Sequence, residues 1–143
     1  MNFVVKTFSE LSVDELYEIL KSRSEIFLLE QNIICQDLDD TDRDSIHCFF
    51  FNGTRVIAYL RAFMSDEDTV TIGRVLTLEH KTGLGTKLMK ESVSEIKKRF
   101  KIKKICVHAQ RQAEIFYEKM GFVSVSDEYL EEGIPHVTME MVV

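Results

Sequence analysis

Residues 79–91, EHKTGLGTKLMKE, constrain the fold more than any other stretch of the chain. An apolar run ends at Leu78, Gly83 and Gly85 flank a single leucine, and residues 84–99 then repeat apolar side chains at helical spacing. The inward positions of that helix are Leu88, Met89, Val93, Ile96 and Phe100. The pattern predicts a strand that turns into a helix through a backbone that carries little side-chain cover.

The first third of the chain predicts a strand, a helix and an irregular segment. The strand is residues 2–8, and the helix covers residues 12–30, opened by Ser12 and Glu15 at the spacing of a capping box. Residues 30–46 are polar and irregular. The apolar face of the helix is predicted to consist of Val13, Leu16, Tyr17, Leu20 and Phe27.

The remaining segments alternate between strands and helices. Strands are predicted at 47–52, 55–64, 69–78, 103–109, 122–126 and 136–143, with a hairpin turn at Asn52-Gly53. A short helix over 113–120 ends at Gly121. The inward positions are predicted to be Ile105, Val107 and Ala109 on the strand, and Ala113, Phe116, Tyr117 and Met120 on the helix. The chain therefore reads as one mixed α/β domain over residues 1–143.

Composition narrows the classes of partner. The formal charge of −6 argues against binding nucleic acid through its phosphates, and no apolar run is long enough to span a membrane. The N-terminal residues lack the pattern of a secretory signal, and the odd number of cysteines, three, does not suggest a disulfide framework. These features predict a cytoplasmic protein with reduced thiols, with neither nucleic acid nor membrane as a partner.

The glycine loop admits three interpretations. A P-loop requires a Gly-Lys pair that is absent, and a dinucleotide fingerprint requires a third glycine where the chain has Leu88. The third is a pyrophosphate cradle, in which the amides of residues 82–86 and the helix dipole face an anion. From spacing alone this cradle and a plain tight turn are equally supported.

Metal sites are not predicted. The acids of DDTDRD resemble the start of a calcium loop, but its sixth position is Ser45 rather than Gly and its twelfth is Phe51 rather than Glu. The pairs His47-Cys48 and Cys106-x-His108 lack zinc-ligand spacing.

Two motifs resemble those of the GNAT superfamily of acyl-CoA-dependent N-acetyltransferases. The first is Q/R-x-x-G-x-G/A after a strand, which here is residues 80–85, HKTGLG. The second has the shape N-x-x-A-x-x-φ-Y-x-x-x-G-F, where φ is an apolar residue, and is matched by Gln110, Ala113, Phe116, Tyr117, Gly121 and Phe122.

The resemblance extends over nearly the whole chain to the ElaA-like branch. The matching positions are Glu30, Gln31, Asp39, Asp42, His47, Arg61, IGRV at 72–75, HAQ at 108–110 and GIPH at 133–136. Two positions depart from what is usual in the family: His80 replaces the Arg or Gln that begins the first motif, and Lys81 stands at the next position, which is usually Gly. The connection before the loop also looks about two residues shorter than usual.

The resemblance implies a GNAT fold. It consists of a twisted mixed sheet of about six to seven strands flanked by helices, with two parallel strands splayed into an acyl-CoA cleft. Acetyl-CoA is the implied cosubstrate. The implied cofactor-binding residues are Val75, Leu76, Thr77, His80, Lys81, Thr82, Gly83, Leu84, Gly85, Thr86, Gln110 and Phe116.

The resemblance also implies direct attack of an amine on the thioester, with Tyr117 as the general acid. The alternative role for Tyr117 is a core tyrosine. The base is open among Glu30, His47 and His136, although His47 and His136 also suit structural roles. An acidic acceptor pocket for a cationic amine is predicted from Glu30, Asp39, Asp42 and Glu132, with His136 beside it.

Two functions remain in competition. The first is an enzyme that transfers acetyl from acetyl-CoA to a primary amine, on a small molecule or a peptide. The second is a non-catalytic module that binds or senses acyl-CoA with the same fold, an interpretation that depends on His80 and the shorter loop. A two-fold homodimer is the default expectation for the assembly.

Overall fold

An eight-stranded mixed sheet runs through the computed structural model, which describes residues 1–143. Its spatial order is β1-β2-β3-β4-β5-β8-β6, with β7 paired to β8 outside that path. Only β4 and β5 are parallel neighbours, which confirms the predicted mixed sheet. The strands are β1 Asn2–Thr7, β2 Ile46–Phe51, β3 Val56–Asp66, β4 Thr69–Thr77, β5 Lys104–Gln110, β6 Val123–Ser124, β7 Tyr129–Glu131 and β8 Ile134–Val142.

Three helices flank the sheet. Helix α1 covers Val13–Arg23 and continues as a π-helix over Ser24–Glu30, α2 covers Leu84–Arg99, and α3 covers Glu114–Met120. These bounds confirm the three predicted helices. None of them combines the length and the apolar character needed to cross a membrane.

The predicted capping box opens α1. The Ser12 hydroxyl accepts a hydrogen bond from the Glu15 amide at 3.0 Å, and the Glu15 carboxylate accepts one from the Ser12 amide at 2.8 Å. Two amides at the helix start thereby gain partners.

The predicted apolar face of α1 is wrong in part. Val13 and Tyr17 are exposed, and the buried stripe consists instead of Ile19, Ser22, Arg23 and Ile26. Polar residues belong to this stripe because each finds a buried partner. The Ser22 hydroxyl donates to the Val56 carbonyl at 2.6 Å, and Arg23 pairs with carboxylates. A helix face that is chosen by its apolar residues alone omits buried polar side chains whose hydrogen-bonding groups have partners.

Side chains from alternate strand positions form two cores. Phe50 and Leu60 belong to the larger core, which α2 and α3 cover with Leu88, Met89, Val93, Ile96 and Tyr117. Phe49 and Tyr59, one residue away on the same strands, belong to the smaller core beneath α1. This alternation follows from the two-residue period of a strand and places the helices on opposite faces of the sheet.

The C-terminal strands differ from the prediction. The strand expected at 122–126 is limited to Val123–Ser124, and the last strand starts at Ile134 rather than at 136. Strand β7 was not predicted. It joins β8 through Glu132 and Gly133, whose φ angles of 51° and 73° form a tight hairpin turn. A strand of three residues carries too little alternation to be detected in a sequence.

Candidate active site

A gap opens between the two parallel strands. Strands β4 and β5 pair through only four positions, from Thr69 with Lys104 to Ile72 with Val107. Both strands continue beyond that point, β4 to Thr77 and β5 to Gln110. The edge of β4 that faces β5 therefore lacks a strand partner after Ile72, and its backbone groups are free to pair with a ligand.

The β4 backbone changes direction where the gap begins. Arg74 has a φ of 55°, in the left-handed region that non-glycine residues seldom adopt. The register between β3 and β4 also shifts between the Tyr59 and Arg61 positions. A bulge of this kind redirects backbone groups away from the regular ladder, and it lies where β4 and β5 part.

The glycine loop leads directly into α2. Gly83 precedes the helix with a φ of 79°, and no side chain caps the first turn, which contains no acidic residue. The capped start of α1, with Asp14 and Glu15 in its first turn, is the opposite arrangement in the same chain. The amides at the start of α2 are thus available to an anion.

Glycine occupies the two positions of the loop for different physical reasons. The left-handed backbone of Gly83 requires glycine for conformational reasons. Gly85 has no such constraint, and a Cβ built there would lie 3.7 Å from ring atoms of Phe116 and from Cγ2 of Thr77, which is ordinary contact. The fold alone does not demand glycine at position 85, whereas a group lying against the backbone would.

A cavity of about 450 Å³ opens beside this gap. Its lining includes Tyr117 from α3, Val75 from β4 and residues of the β7–β8 hairpin. Its apolar wall includes Phe27, Ile33, Phe63 and Ile72. Among the predicted site residues it collects Val75, Gln110, Tyr117, Glu132 and His136.

Tyr117 extends from α3 into the larger core. Its ring packs edge-on against Phe116 and Phe122, with centroids 5.2 and 5.7 Å away. Burial raises the pKa of the Tyr117 phenol well above its usual range. The hydroxyl is therefore protonated at neutral pH and can act only as a proton donor until it loses that proton.

His136 and Glu132 enter the cavity from the β7–β8 hairpin. The His136 ring is almost fully buried, and its Nδ1 lies 2.7 Å from the Ile134 carbonyl oxygen. Its Nε2 lies 3.4 Å from the Glu131 carboxylate. Glu132 occupies the turn itself.

The other predicted cofactor residues surround the loop. His80, Lys81, Thr82 and Gly83 are exposed, while Leu84, Gly85 and Thr86 are half-buried in the first turn of α2. Leu76 is buried in the smaller core, so only its backbone could contact a ligand in the gap. The side-chain amide of Gln110 donates to Gln31 at 2.9 Å and links β5 to the segment after α1.

Glu30 lies at the loop and not in the cavity. Its carboxylate accepts a hydrogen bond from Nε2 of His80 at 2.8 Å, and both side chains are about half exposed. Glu30 does not line the cavity that Tyr117 lines, so its role as a base or acceptor-pocket residue stays a prediction that this geometry does not support.

The predicted acidic acceptor pocket is wrong, because Asp39 and Asp42 are neutralised by arginines. Arg61 binds both oxygens of Asp39, at 2.7 and 2.8 Å, and Asp42 accepts from Arg23 at 2.8 Å and from Arg61 at 3.0 Å. Hydrogen bonds from Arg61 lower the pKa of Asp39 to about 2. Burial opposes ionisation of Asp42, but Arg23 and Arg61 outweigh it, so the pKa of Asp42 is lowered.

The same network holds the segment after α1 over the cavity. Arg23 and Arg74 both bind the Asp37 carboxylate, at 2.9 and 2.7 Å. Three arginines thus balance three aspartates, Asp37, Asp39 and Asp42. We call this set the Arg–Asp network.

His47 is a buried structural residue, which contradicts its predicted role as a base. The Tyr59 hydroxyl donates to Nδ1 at 2.7 Å, and the Nε2 hydrogen is donated to the Asp42 carbonyl at 2.9 Å. Burial lowers the pKa of His47, which keeps the ring neutral. Both ring nitrogens are occupied, and the side chain does not line the cavity.

The comparison with known families accords with this geometry. A model of the acetyltransferase (GNAT) domain matches residues 5–143. The chain belongs to the GNAT acetyltransferase family. Its relatives include a UPF0039 protein of Schizosaccharomyces pombe, 37% identical over 145 residues, which cover 99% of this chain and 97% of the relative.

Two solved structures resemble this GNAT protein closely. The protein ElaA of Escherichia coli is 36% identical over 137 residues, covering 92% of this chain and 90% of the relative. Its crystal structure superposes with a TM-score of 0.92 and covers 99% of both chains. An acyl-CoA N-acyltransferase from Pseudomonas aeruginosa superposes with a TM-score of 0.91 at 30% identity, covering 99% of each chain.

Sequence reasoning missed Glu131 and Arg23 in this GNAT protein, and it noted Arg61 and Arg74 only as family matches, without their aspartate partners. Glu131 is one residue from the predicted Glu132, and only the unpredicted strand β7 brings it to His136. Arg23 lies within a helix face that was judged by apolar side chains alone. The acidic residues between α1 and β2 could have suggested that arginines neutralise them. The distances along the sequence between those acids and the arginines do not show which side chains pair.

Proposed function

We propose that this protein is an acetyl-CoA-dependent N-acetyltransferase that transfers an acetyl group to a primary amine by direct attack on the thioester. The observation that carries the proposal is the unpaired edge of β4 leading into an uncapped helix that starts with Gly83-Leu84-Gly85. Membership of the GNAT family supports it, as does likeness to a structure described as an acyl-CoA N-acyltransferase.

The chain offers separate features for each part of coenzyme A. The free amides at the start of α2 suit the pyrophosphate, with Lys81 supplying a nearby positive charge. The unpaired backbone of Val75, Leu76 and Thr77 suits the amide groups of the pantetheine arm. The bare Cα of Gly85 leaves room for a close approach between these two regions.

Bound acetyl-CoA supplies the activated acyl group, and the chain supplies the proton transfers. The Tyr117 hydroxyl lines the cavity on the α3 side and forms no hydrogen bond with another residue. It is proposed to donate its proton to the departing sulfur. A thiolate that receives a proton as the bond breaks is a better leaving group than one that does not.

A second function competes because of one contact. His80, in the position where the family motif has Arg or Gln, is held by Glu30, which places a carboxylate beside the proposed phosphate site. A carboxylate there opposes an anion, and this departure from the family motif is what keeps open the alternative of a non-catalytic module that binds acyl-CoA for sensing. The cytoplasmic location, the single-domain organisation and the two-fold dimer stay predictions of the sequence.

Thermal denaturation with acetyl-CoA, coenzyme A or NAD tests the ligand first. A ligand at one hundred times its dissociation constant adds about 2.7 kcal/mol of stability, which is a rise of about 5–10 °C for a domain of this size. We expect a rise with both coenzyme A forms and none with NAD. Release of free thiol on adding primary amines then distinguishes the enzyme from a binding module, since only the enzyme releases thiol in proportion to acetylated amine.

A further inference from the structure

The β7–β8 hairpin brings an imidazole and a carboxylate together inside the cavity. Tyr129 is the Cα partner of His136, and Glu131 is the partner of Ile134, so the tight turn returns Glu131 towards the histidine. The Glu131 carboxylate lies 3.4 Å from Nε2 of His136. The His136 side chain is 8% exposed and lines the cavity, whereas that of Glu131 is 53% exposed.

The hydrogen bond to Ile134 fixes where the proton of His136 is. A carbonyl oxygen can only accept, so Nδ1 of His136 must carry the hydrogen of the 2.7 Å contact with Ile134. In the neutral ring, Nε2 then has a free lone pair. Nε2 lies 3.4 Å from the Glu131 carboxylate in a side chain that lines the cavity, and this contact becomes attractive only when a proton enters between the two groups.

A second set of contacts holds the ring in place. Tyr129 stacks on His136 with centroids 6.2 Å apart and planes 22° from parallel. The Tyr129 hydroxyl in turn lies 2.9 Å from Nδ1 of His108 and 2.9 Å from the Thr138 hydroxyl. Tyr129 is therefore a positioning residue for the imidazole.

We propose that His136 is the general base of this acetyltransferase and that Glu131 holds the ammonium group of its acceptor. The proposal rests on the proposed function and names the acceptor class: a primary alkylamine that arrives protonated. An ammonium group has three hydrogens, so it can donate one to Glu131 and another to Nε2 of His136. A histidine suits the role because its ordinary pKa is close to neutral pH.

The protons balance in this scheme. Nε2 of His136 takes one proton from the ammonium group, and the neutral nitrogen forms the C–N bond as the C–S bond breaks. The sulfur takes the Tyr117 proton, and the second proton leaving the nitrogen restores the Tyr117 hydroxyl by way of solvent. The products are the amide, a thiol and one proton, which His136 returns to water.

Other charged groups around the cavity do not replace this pair. Arg61 and Arg74 are neutralised by Asp39 and Asp37. Glu132 shares the turn, His108 faces the pair from β5, and Tyr129 from β7 is engaged by His108. Only His136 combines a free ring nitrogen with an adjacent carboxylate.

Two acceptors that differ in basicity test the base directly. Ethylamine is protonated at neutral pH and needs a base, whereas trifluoroethylamine is already neutral and does not. His136→Asn keeps a side-chain donor for the Ile134 carbonyl but removes Nε2. We expect this variant to lose about 100-fold or more in kcat/KM with ethylamine at pH 7 and less than about fivefold with trifluoroethylamine. The loss with ethylamine should shrink about tenfold for each pH unit towards the pKa of that amine.

The controls separate this inference from the proposed function. Glu131→Gln should raise KM for ethylamine more than it lowers kcat, whereas Glu128→Gln, an exposed change near the same hairpin, should alter neither. Thermal shifts with coenzyme A establish that each variant is folded. Equal losses with both amines at every pH would overturn the role of His136 while leaving the acetyltransferase intact. Absence of turnover by the unmodified protein with both amines would overturn the proposed function and the base with it.

Discussion

At the scale of single residues, Tyr117 carries the clearest kinetic prediction. Tyr117→Phe removes only the hydroxyl, which forms no hydrogen bond with another residue, so the packing against Phe116 and Phe122 is retained. We expect kcat to fall by about 100-fold or more, with little change in affinity for coenzyme A. Steady-state kinetics and calorimetric titration measure the two quantities.

The control for this prediction is Phe116→Leu. That change alters the neighbouring ring, which contacts the Gly85 position, and we expect it to weaken coenzyme A binding more than turnover. A Tyr117→Phe protein with unchanged kcat would exclude the hydroxyl from catalysis.

The sequence could predict residues that belong to local motifs, but not those that depend on distant pairing. Tyr117, Gly83 and Gly85 stand in contiguous patterns, so the sequence alone could single them out; in the structure Tyr117 lines the cavity, and Gly83 and Gly85 lie at the start of α2. His47 and Asp42 stood in equally suggestive positions, yet Tyr59, Arg23 and Arg61 engage them from other segments. Whether a titratable side chain is free or satisfied depends on residues far away in sequence, which spacing does not encode.

At the scale of elements, a substitution at the start of α2 should change the affinity for coenzyme A without lowering the stability of the fold. Gly85→Ala adds a methyl group in ordinary contact with Phe116 and Thr77, at a backbone conformation open to alanine. Because alanine favours the helix by up to about 1 kcal/mol over glycine, we expect the melting temperature to stay equal or to rise. Affinity for coenzyme A should fall at least tenfold, as measured by calorimetry.

Gly83→Ala is the matched comparison. Its left-handed backbone at φ 79° disfavours any side chain, so the melting temperature should fall by an amount that corresponds to about 1–2 kcal/mol. If the Gly85→Ala variant bound coenzyme A as tightly as the unmodified protein, the loop at residues 82–86 would not be a pyrophosphate-binding site but only a tight turn between β4 and α2.

Helix α1 shows which features of a helix cannot be predicted from the periodicity of its apolar residues. Its bounds and its capping box follow from the sequence, whereas its buried face includes Ser22 and Arg23. The π-helical turns after Arg23 also shift the phase of the later side chains relative to a regular α-helix. The orientation of a helix thus follows its partners across the sheet as well as its own apolar residues.

At the scale of the whole molecule, the Arg–Asp network ties α1, β3, β4 and the segment between α1 and β2 together. Asp42→Asn removes the buried carboxylate that Arg23 and Arg61 share, and we expect a loss of about 3–5 kcal/mol in the free energy of unfolding. Urea denaturation measures it. Arg43→Ala, which removes an exposed contact with Asp40 and a cation–π contact with the Phe8 ring, should cost no more than about 1 kcal/mol.

The acid side of the stability profile should show two stages. The folded pKa of His47 is lowered, so the unfolded chain takes up a proton that the folded chain refuses, and stability falls as the pH drops through about 6.5. The folded pKa values of Asp39 and Asp42 are also lowered. Their contribution is therefore complete above about pH 4 and is lost below it, towards pH 2 for Asp39.

His47→Gln tests the first stage. The substitution should remove a slope of up to about 1.4 kcal/mol per pH unit for one proton as the pH falls below about 6.5, as measured by urea denaturation. An identical slope in the variant would assign the acid sensitivity to a different group.

The general layout of the molecule was predictable because it follows from alternation, capping and turn residues. Three helices and seven of the eight strands were predicted, and so was the parallel pair. Strand β7 was not predicted, and β6 and β8 were shifted, since short strands near turns take their bounds from neighbours.

The parting of β4 and β5 after Ile72 divides the sheet into two antiparallel halves, β1–β4 and β5–β8, joined at one end by four residue pairs. Within the sheet, only this short ladder connects the two halves, so a molecule lying along β4 would add backbone hydrogen bonds across the open part of the gap. We expect hydrogen exchange at residues 73–77 and 108–110 to slow when coenzyme A is added, because the ligand would cover those amides. A bound cosubstrate would then complete the sheet as well as supply the acyl group.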